Sequence, residues 1–306
     1  MKNKIYNILT VSIILVVGLL SCDNDEVFKA EQYKNVFALI SETDNIYSKY
    51  YDLRESESIG YLSASCGGTN PTTEDINILL VEDPTLIDLY NKTNYDVEYN
   101  KYANQLPKSK YDIDSYQLKI PAGKIKASLP IRIRPEGLSP DSTYYIPLRI
   151  DSHDNYEANP DKSYVLFEVR IKNYFAKAEG ATYNLKGKED GRNIFGTKII
   201  HPLTGSKVRI MAGTEAYIAN TEVHEQYALV LDVNEEGKVH ITPYGKIQVS
   251  QVDGDSDYPN TFDVTFDGYK HYKTFLLRYD YTINNKTYQM KEELRLQFNP
   301  KNKEEL

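Results

Sequence analysis

The chain has 306 residues, with 44 acidic against 36 basic side chains and a formal net charge of −8 at pH 7. No basic cluster offsets the acids, so the field repels polyanions and a nucleic-acid role is disfavoured. The length suits two ordinary domains, each able to bury its own core. Tyrosine dominates the aromatics, 27 against nine phenylalanines and no tryptophan, as in half-buried β walls where the ring packs and the hydroxyl reaches water.

In chain order, Lys2 and Lys4 precede an apolar run from Val11 to Leu20, interrupted by Ser12 and Gly18, and Leu19-Leu20-Ser21-Cys22 follows. A positive start, an apolar stretch of about 15 residues and a small residue before the cut mark a secretory signal over 1–21. The run is too short, and too promptly followed by acids, for a comfortable spanning helix. Leu-Leu-Ser-Cys resembles a bacterial lipoprotein box, which implies lipid on Cys22 as the first residue of the mature chain. The alternatives are a plain signal peptide with an incidental cysteine, or an uncleaved anchor. Removing 1–21 takes away Lys2 and Lys4, which leaves 34 bases against 44 acids and a net charge of −10. With Cys22 acylated, Cys66 has no disulfide partner, and a small buried residue fits it better than a reactive thiol.

Residues 22–34 form an acidic tether, and a first β domain spans 35–172. Strands are expected at 36–40, 59–65, 76–81 and 116–120, with Pro121-Ala122-Gly123 as a turn. Pro84 opens a helix over 86–90, and 97–106 reads as a second helical stretch ending before Pro107. Alternation at Leu129, Ile131 and Ile133, at Ile146, Leu148 and Ile150, and at Val165, Phe167, Val169 and Ile171 completes an Ig-like antiparallel β-sandwich. Residues 173–180 serve as a linker. The second domain, 181–306, carries strands at 207–211, 227–233, 239–242, 247–251, 262–266, 275–283 and 287–298, a second antiparallel sandwich or barrel-like unit. The fold class is therefore all-β. Asn284-Asn285 is a two-residue turn, since Asn tolerates the left-handed region. That register sets Tyr281 opposite Tyr288, Tyr279 opposite Met290, Leu277 opposite Glu292 and Phe275 opposite Leu294. Glu292 is the one charge on the apolar face and is expected at an open rim, while Arg278 and Arg295 face outward near acids.

Catalytic and metal motifs are missing. His224-Glu225 begins like a zinc-protease helix, but Ala228 stands where the second histidine is needed. The five histidines never sit at ligand spacing. Asp253-Gly254-Asp255-Ser256-Asp257 opens like a calcium loop, yet Tyr258 and Val264 occupy its glycine and glutamate positions, so a solvated acidic loop is the better reading. No metal or cofactor is expected.

Leu89-Tyr90-Asn91, Gln105-Leu106-Pro107, the run Tyr116 to Gly123, Leu138-Ser139-Pro140 and Tyr144 to Ile150 come in order. Together they resemble the N-terminal sandwich domain of unknown function in Bacteroidetes outer-membrane lipoproteins of polysaccharide-utilisation systems, a module also found ahead of some endo-glycosidase catalytic domains. Tyr227 to Val233, Ile241-Thr242-Pro243-Tyr244 and the closing hairpin resemble the C-terminal β domain that accompanies it. The resemblance implies a non-catalytic, surface-exposed glycan-binding partner of an outer-membrane importer, and acids after the lipidated cysteine accord with outward display. The family has no agreed binding residues to carry over. From the residues alone, Tyr244, Tyr258, Tyr269 and Tyr272 are the candidate glycan contacts, because they lie in or beside loops of the second domain, where rings can stack on sugars. A fimbria-like adhesin is the alternative, weakened by a short polar tether and a charged tail, and a glycosidase comes third.

Overall fold

The computed structural model describes residues 34–302. The expected signal peptide, Cys22 and nearly all of the expected acidic tether lie outside them.

The first domain is a two-layer sandwich. Its elements are β1 (Val36–Leu39), β2 (Ile46–Asp52), β3 (Ser58–Gly67), β4 (Ile76–Glu82), α1 (Thr85–Tyr95), β5 (Asn104–Gln105), β6 (Tyr111–Asp112), β7 (Gln117–Ile120), β8 (Lys126–Ile133), β9 (Tyr144–His153), β10 (Glu157–Ala158) and β11 (Tyr164–Lys172). One sheet runs β10-β1-β3-β8-β6 and the other β2-β11-β9-β4-β7, with β5 added to β9. The alternating residues of β8 and β11 meet between the sheets: Leu129, Ile131 and Ile133 from one side, Val165, Phe167, Val169 and Ile171 from the other. Pairing is antiparallel except for three parallel contacts, β1 with β10, β2 with β11 and β5 with β9.

The helix expected after Pro84 forms, and the one expected over 97–106 does not. α1 ends at Asp96, whose φ of 47° leaves the helical region. The buried Asn91 side chain then takes over the next segment. It donates to the Ala103 carbonyl at 2.9 Å and accepts from the Ala103 amide at 2.8 Å. Both peptide groups of Ala103 are thereby occupied in an extended conformation that leads into β5, and a single short turn at Tyr99–Lys101 remains of the helix.

The second domain holds β12 (Ala181–Glu189), β13 (Arg192–Pro202), β14 (Lys207–Met211), α2 (Thr221–Tyr227), β15 (Ala228–Val233), β16 (Val239–Pro243), β17 (Gln248–Gln251), β18 (Thr261–Phe266), β19 (His271–Ile283) and β20 (Lys286–Phe298). Its sheet runs β16-β15-β14-β13-β12-β20-β19-β17, with β18 also on β19. Curling brings β16 back to β17, where the Gln251 Oε1 accepts the Ile241 amide at 2.7 Å, so the sheet is nearly a barrel. The β19–β20 turn places Asn284 and Asn285 at φ 52° and 61°, and all four expected cross-strand pairs form. The β12–β13 turn, Asp190-Gly191, has the same left-handed geometry.

Glu292 is not at a rim. It is fully buried, its Oε2 2.5 Å from the Lys198 Nζ and its Oε1 accepting the Tyr279 hydroxyl at 2.9 Å. Tyr279 in turn accepts the Gly213 amide at 3.0 Å. The correction has a simple cause: Lys198 comes from β13, a strand absent from the sequence reading, and turns into the same interior. Arg278 and Arg295 do pair with neighbouring acids, Asp280 at 2.5 Å and Glu293 at 3.6 Å, although Arg278 is itself buried.

Asn173 joins the two cores. Its Nδ2 donates to the carbonyls of Thr204 and Lys207, at 2.7 and 3.0 Å, and its Oδ1 accepts the amides of Phe175 and Ala176, both at 3.0 Å. Phe175 and Ala176 are buried in the second core, so the connection is ordered and short of slack.

Candidate binding cleft between the domains

A cleft of about 670 Å³ opens where the domains meet, within the range of small-ligand sites. The first domain supplies Ser139 to Tyr144 and the β11 residues Glu168 to Ile171; the second supplies His201, Tyr217 and the start of α2 up to His224. α2 begins where it does because the Asn220 side chain caps it, accepting the amides of Glu222 and Val223 at 2.8 and 3.3 Å. That cap fixes His224 one turn later, on the buried side.

An interdomain ion pair lies beneath the cleft, with Asp141 in its wall. Arg209, on β14, is 1 % exposed and reaches Asp141 with two parallel hydrogen bonds of 2.5 and 2.6 Å. The bidentate fork fixes orientation as well as charge. Burial pushes the Asp141 carboxyl up, but the Arg209 guanidinium overrides it and holds the group below the usual carboxylate range. The Tyr244 ring centre lies 5.2 Å from the guanidinium carbon.

Two imidazoles stack with Tyr217, His201 at 4.6 Å and His224 at 5.3 Å between ring centres. Burial, reinforced by the Arg209 charge, lowers both; His201 falls to about 4. Each ring is therefore neutral at physiological pH and offers one donor and one acceptor, the same pairing that a hydroxyl offers. His224 is buried, and neither ring nitrogen has a hydrogen-bond partner within the chain. Its Nδ1 faces the Asp141 carboxylate at 3.8 Å, an ion-pair rather than a hydrogen-bond length. Among the described residues, no group of three or more His, Cys, Asp or Glu is arranged to hold a metal ion.

The four tyrosines chosen from sequence do not converge. Tyr244 packs against the Arg209 guanidinium behind the cleft and does not line it. Tyr258 lies under Lys291 at 5.8 Å and Tyr272 under Arg295 at 3.9 Å, both on the outer face of β20 and away from the cleft. Tyr269 projects from the β18–β19 turn, 93 % exposed. Asp255 of the acidic loop is salt-bridged to Lys291, and Asp253 accepts from Gln251 and Asn260 at 2.7 and 3.1 Å. Sequence reasoning missed Asp141, His201, Arg209, Tyr217 and His224 as site residues. The available signal was weak: Asn220-Thr221-Glu222 as a helix start, with a histidine one turn on.

Comparison with known proteins gives a consistent picture. The chain matches two paired family models, an N-terminal domain over residues 31–157 and a C-terminal domain over 163–295. No curated protein matches it. Among solved structures, a Bacteroides ovatus protein of unknown function aligns over 90 % of this chain and 94 % of its own, at 18 % identity and a TM-score of 0.62. A second B. ovatus protein of unknown function covers 87 % and 95 %, at 13 % identity and a TM-score of 0.61. A structure from Bacteroides thetaiotaomicron described as an auxiliary nutrient binding protein covers 84 % and 92 %, at 15 % identity and a TM-score of 0.53.

Proposed function

Because the chain belongs to a two-domain β-protein family of Bacteroidetes, we propose that it is a non-catalytic, surface-exposed lipoprotein that captures glycan for an outer-membrane uptake system. Anchoring is through lipid on Cys22, outside the described residues, with the acids at 23, 25 and 26 favouring outward display. The observation that carries the reading is the preformed interdomain cleft itself, walled by two neutral imidazoles, His201 and His224, on either side of Tyr217. Neutral donor–acceptor groups in a preformed cleft suit a polyhydroxyl ligand. The nutrient-binding description of a relative that shares the fold across both domains agrees with it. On the outer face of the second domain, Tyr269 offers an uncovered ring for an auxiliary contact, whereas Tyr258 and Tyr272 already carry cations.

Calorimetric titration of the mature chain against a panel of plant, fungal and host polysaccharides tests this. At least one should bind, and His224→Phe should weaken it about tenfold or more while Tyr269→Ala has a smaller effect. A panel without binding, or a His224→Phe variant equal to wild type, removes the assignment of the cleft.

A further inference from the structure

A second cleft of about 450 Å³ adjoins the first and shares three of its lining residues, Thr143, Glu168 and Arg170. It continues over the first domain to Tyr90, Tyr95 and Tyr145, past Ser48 on β2. Tyr90 packs edge-on against Tyr95 and Tyr145, with ring centres 6.0 and 5.1 Å apart. Tyr90 and Tyr95 are half-buried, so part of each ring faces out.

Arg170 sits at the junction and is held in place. Its guanidinium lies 5.0 Å from the Tyr50 ring centre, and Glu168 and Glu179 flank it at 3.5 and 3.6 Å. Those are ion-pair rather than hydrogen-bond lengths, so the fork of N–H donors is not saturated. Glu168 is fixed from the other side by the Ser48 hydroxyl.

Each cleft alone has the size of a small-molecule site. Two such sites meeting over a fixed donor, with aromatic groups at both ends, suit a ligand that repeats along its length. The walls carry Glu42, Asp44, Asp141, Glu168, Glu179 and Glu222 against Lys101 and Arg170, with Arg209 beneath Asp141. A uronate or sulfate would meet more acids than bases there.

We infer that the two clefts form one groove and that its occupant is an extended, uncharged glycan chain, not a short sugar or an acidic polymer. This rests on the capture reading above and adds the length and charge of the ligand.

The test is a length series, disaccharide to octasaccharide, of neutral gluco-, xylo- and manno-oligosaccharides, with oligogalacturonates and chitosan oligomers as charged controls. Affinity of the mature chain is measured by calorimetry. Within a neutral series, affinity should rise at least about tenfold, or about 1.4 kcal/mol, between disaccharide and hexasaccharide. Tyr95→Ala should remove that increment and leave the disaccharide unaffected, while Tyr95→Phe keeps it. Equal affinity at all lengths overturns the groove and leaves the capture function standing. Tighter binding of either charged series overturns the uncharged ligand. Binding by no member sinks both this inference and the capture reading.

Discussion

Two buried ion pairs, one inside the second domain and one between the domains, use similar chemistry to different ends. Lys198–Glu292 lies wholly within the near-barrel, with both side chains essentially inaccessible and Tyr279 and Gly213 completing the network. Arg209–Asp141 spans the domains, and its carboxylate retains 26 % exposure at the cleft. The interior pair is a point-charge contact that ties three strands and a loop into one arrangement. The interdomain pair is a planar fork that sets an angle between two bodies. A buried pair is weak evidence for net stability, because desolvation offsets attraction. What distinguishes these two is which geometry each makes unique.

Separating them is the most direct test. Lys198→Met leaves Glu292 buried without its cation, and should destabilise the protein by about 3–5 kcal/mol in urea unfolding. The double variant Lys198→Met/Glu292→Leu should recover most of that loss; if it does not, the network contributes more than charge balance. Arg209→Met should cost less, about 2 kcal/mol, since water can reach Asp141. Its larger signature should be geometric: a changed scattering profile in solution and loss of ligand affinity. Unchanged scattering and affinity would mean that Asn173 alone fixes the domain angle.

The most gradual effect is in pH. His201 is held near 4 in the folded chain against an ordinary value of 6.5, so the unfolded chain takes up a proton first as pH falls. Its contribution is complete above about pH 6.5 and is lost as pH drops toward 4, by at most about 1.4 kcal/mol per pH unit. His224 acts in the same direction, and Asp141 adds its own loss below 3.8. Unfolding midpoints measured from pH 7.5 to 4 should show this slope, and His201→Phe should flatten it. A slope left unchanged by His201→Phe would contradict the assignment.

Alternation and turn chemistry made much of the fold legible from the chain. The 275–294 hairpin is the clearest case, since two consecutive asparagines and one apolar face permit a single register. β12 escaped notice although Asp190-Gly191 is as strong a turn signal. Its inward row, Tyr183, Leu185 and Gly187, breaks where β20 presses close: a Cβ on Gly187 would stand 2.1 Å from the Lys291 carbonyl oxygen. The missing side chain is the reason the strand packs and also the reason it is hard to read. β2 is an edge strand with few fully buried positions, so its pattern is blurred. The cleft had no comparable signature. Asp141, His201, Arg209, Tyr217 and His224 come from five separate segments, and Arg209 stands in a strand buried at consecutive positions, where period two is silent.

Asn173 has a bearing on how such chains can be rearranged over time. One amide satisfies two backbone carbonyls from the second domain and two amides of the connecting segment. An aspartate there would set oxygen against oxygen, and an alanine would take the side-chain partner from the Phe175 and Ala176 amides and the Thr204 carbonyl, while the Lys207 carbonyl keeps the Leu203 amide at 2.9 Å. Recombination that exchanged either half would have to keep this joint intact, so the two halves are expected to travel through genomes as a matched set.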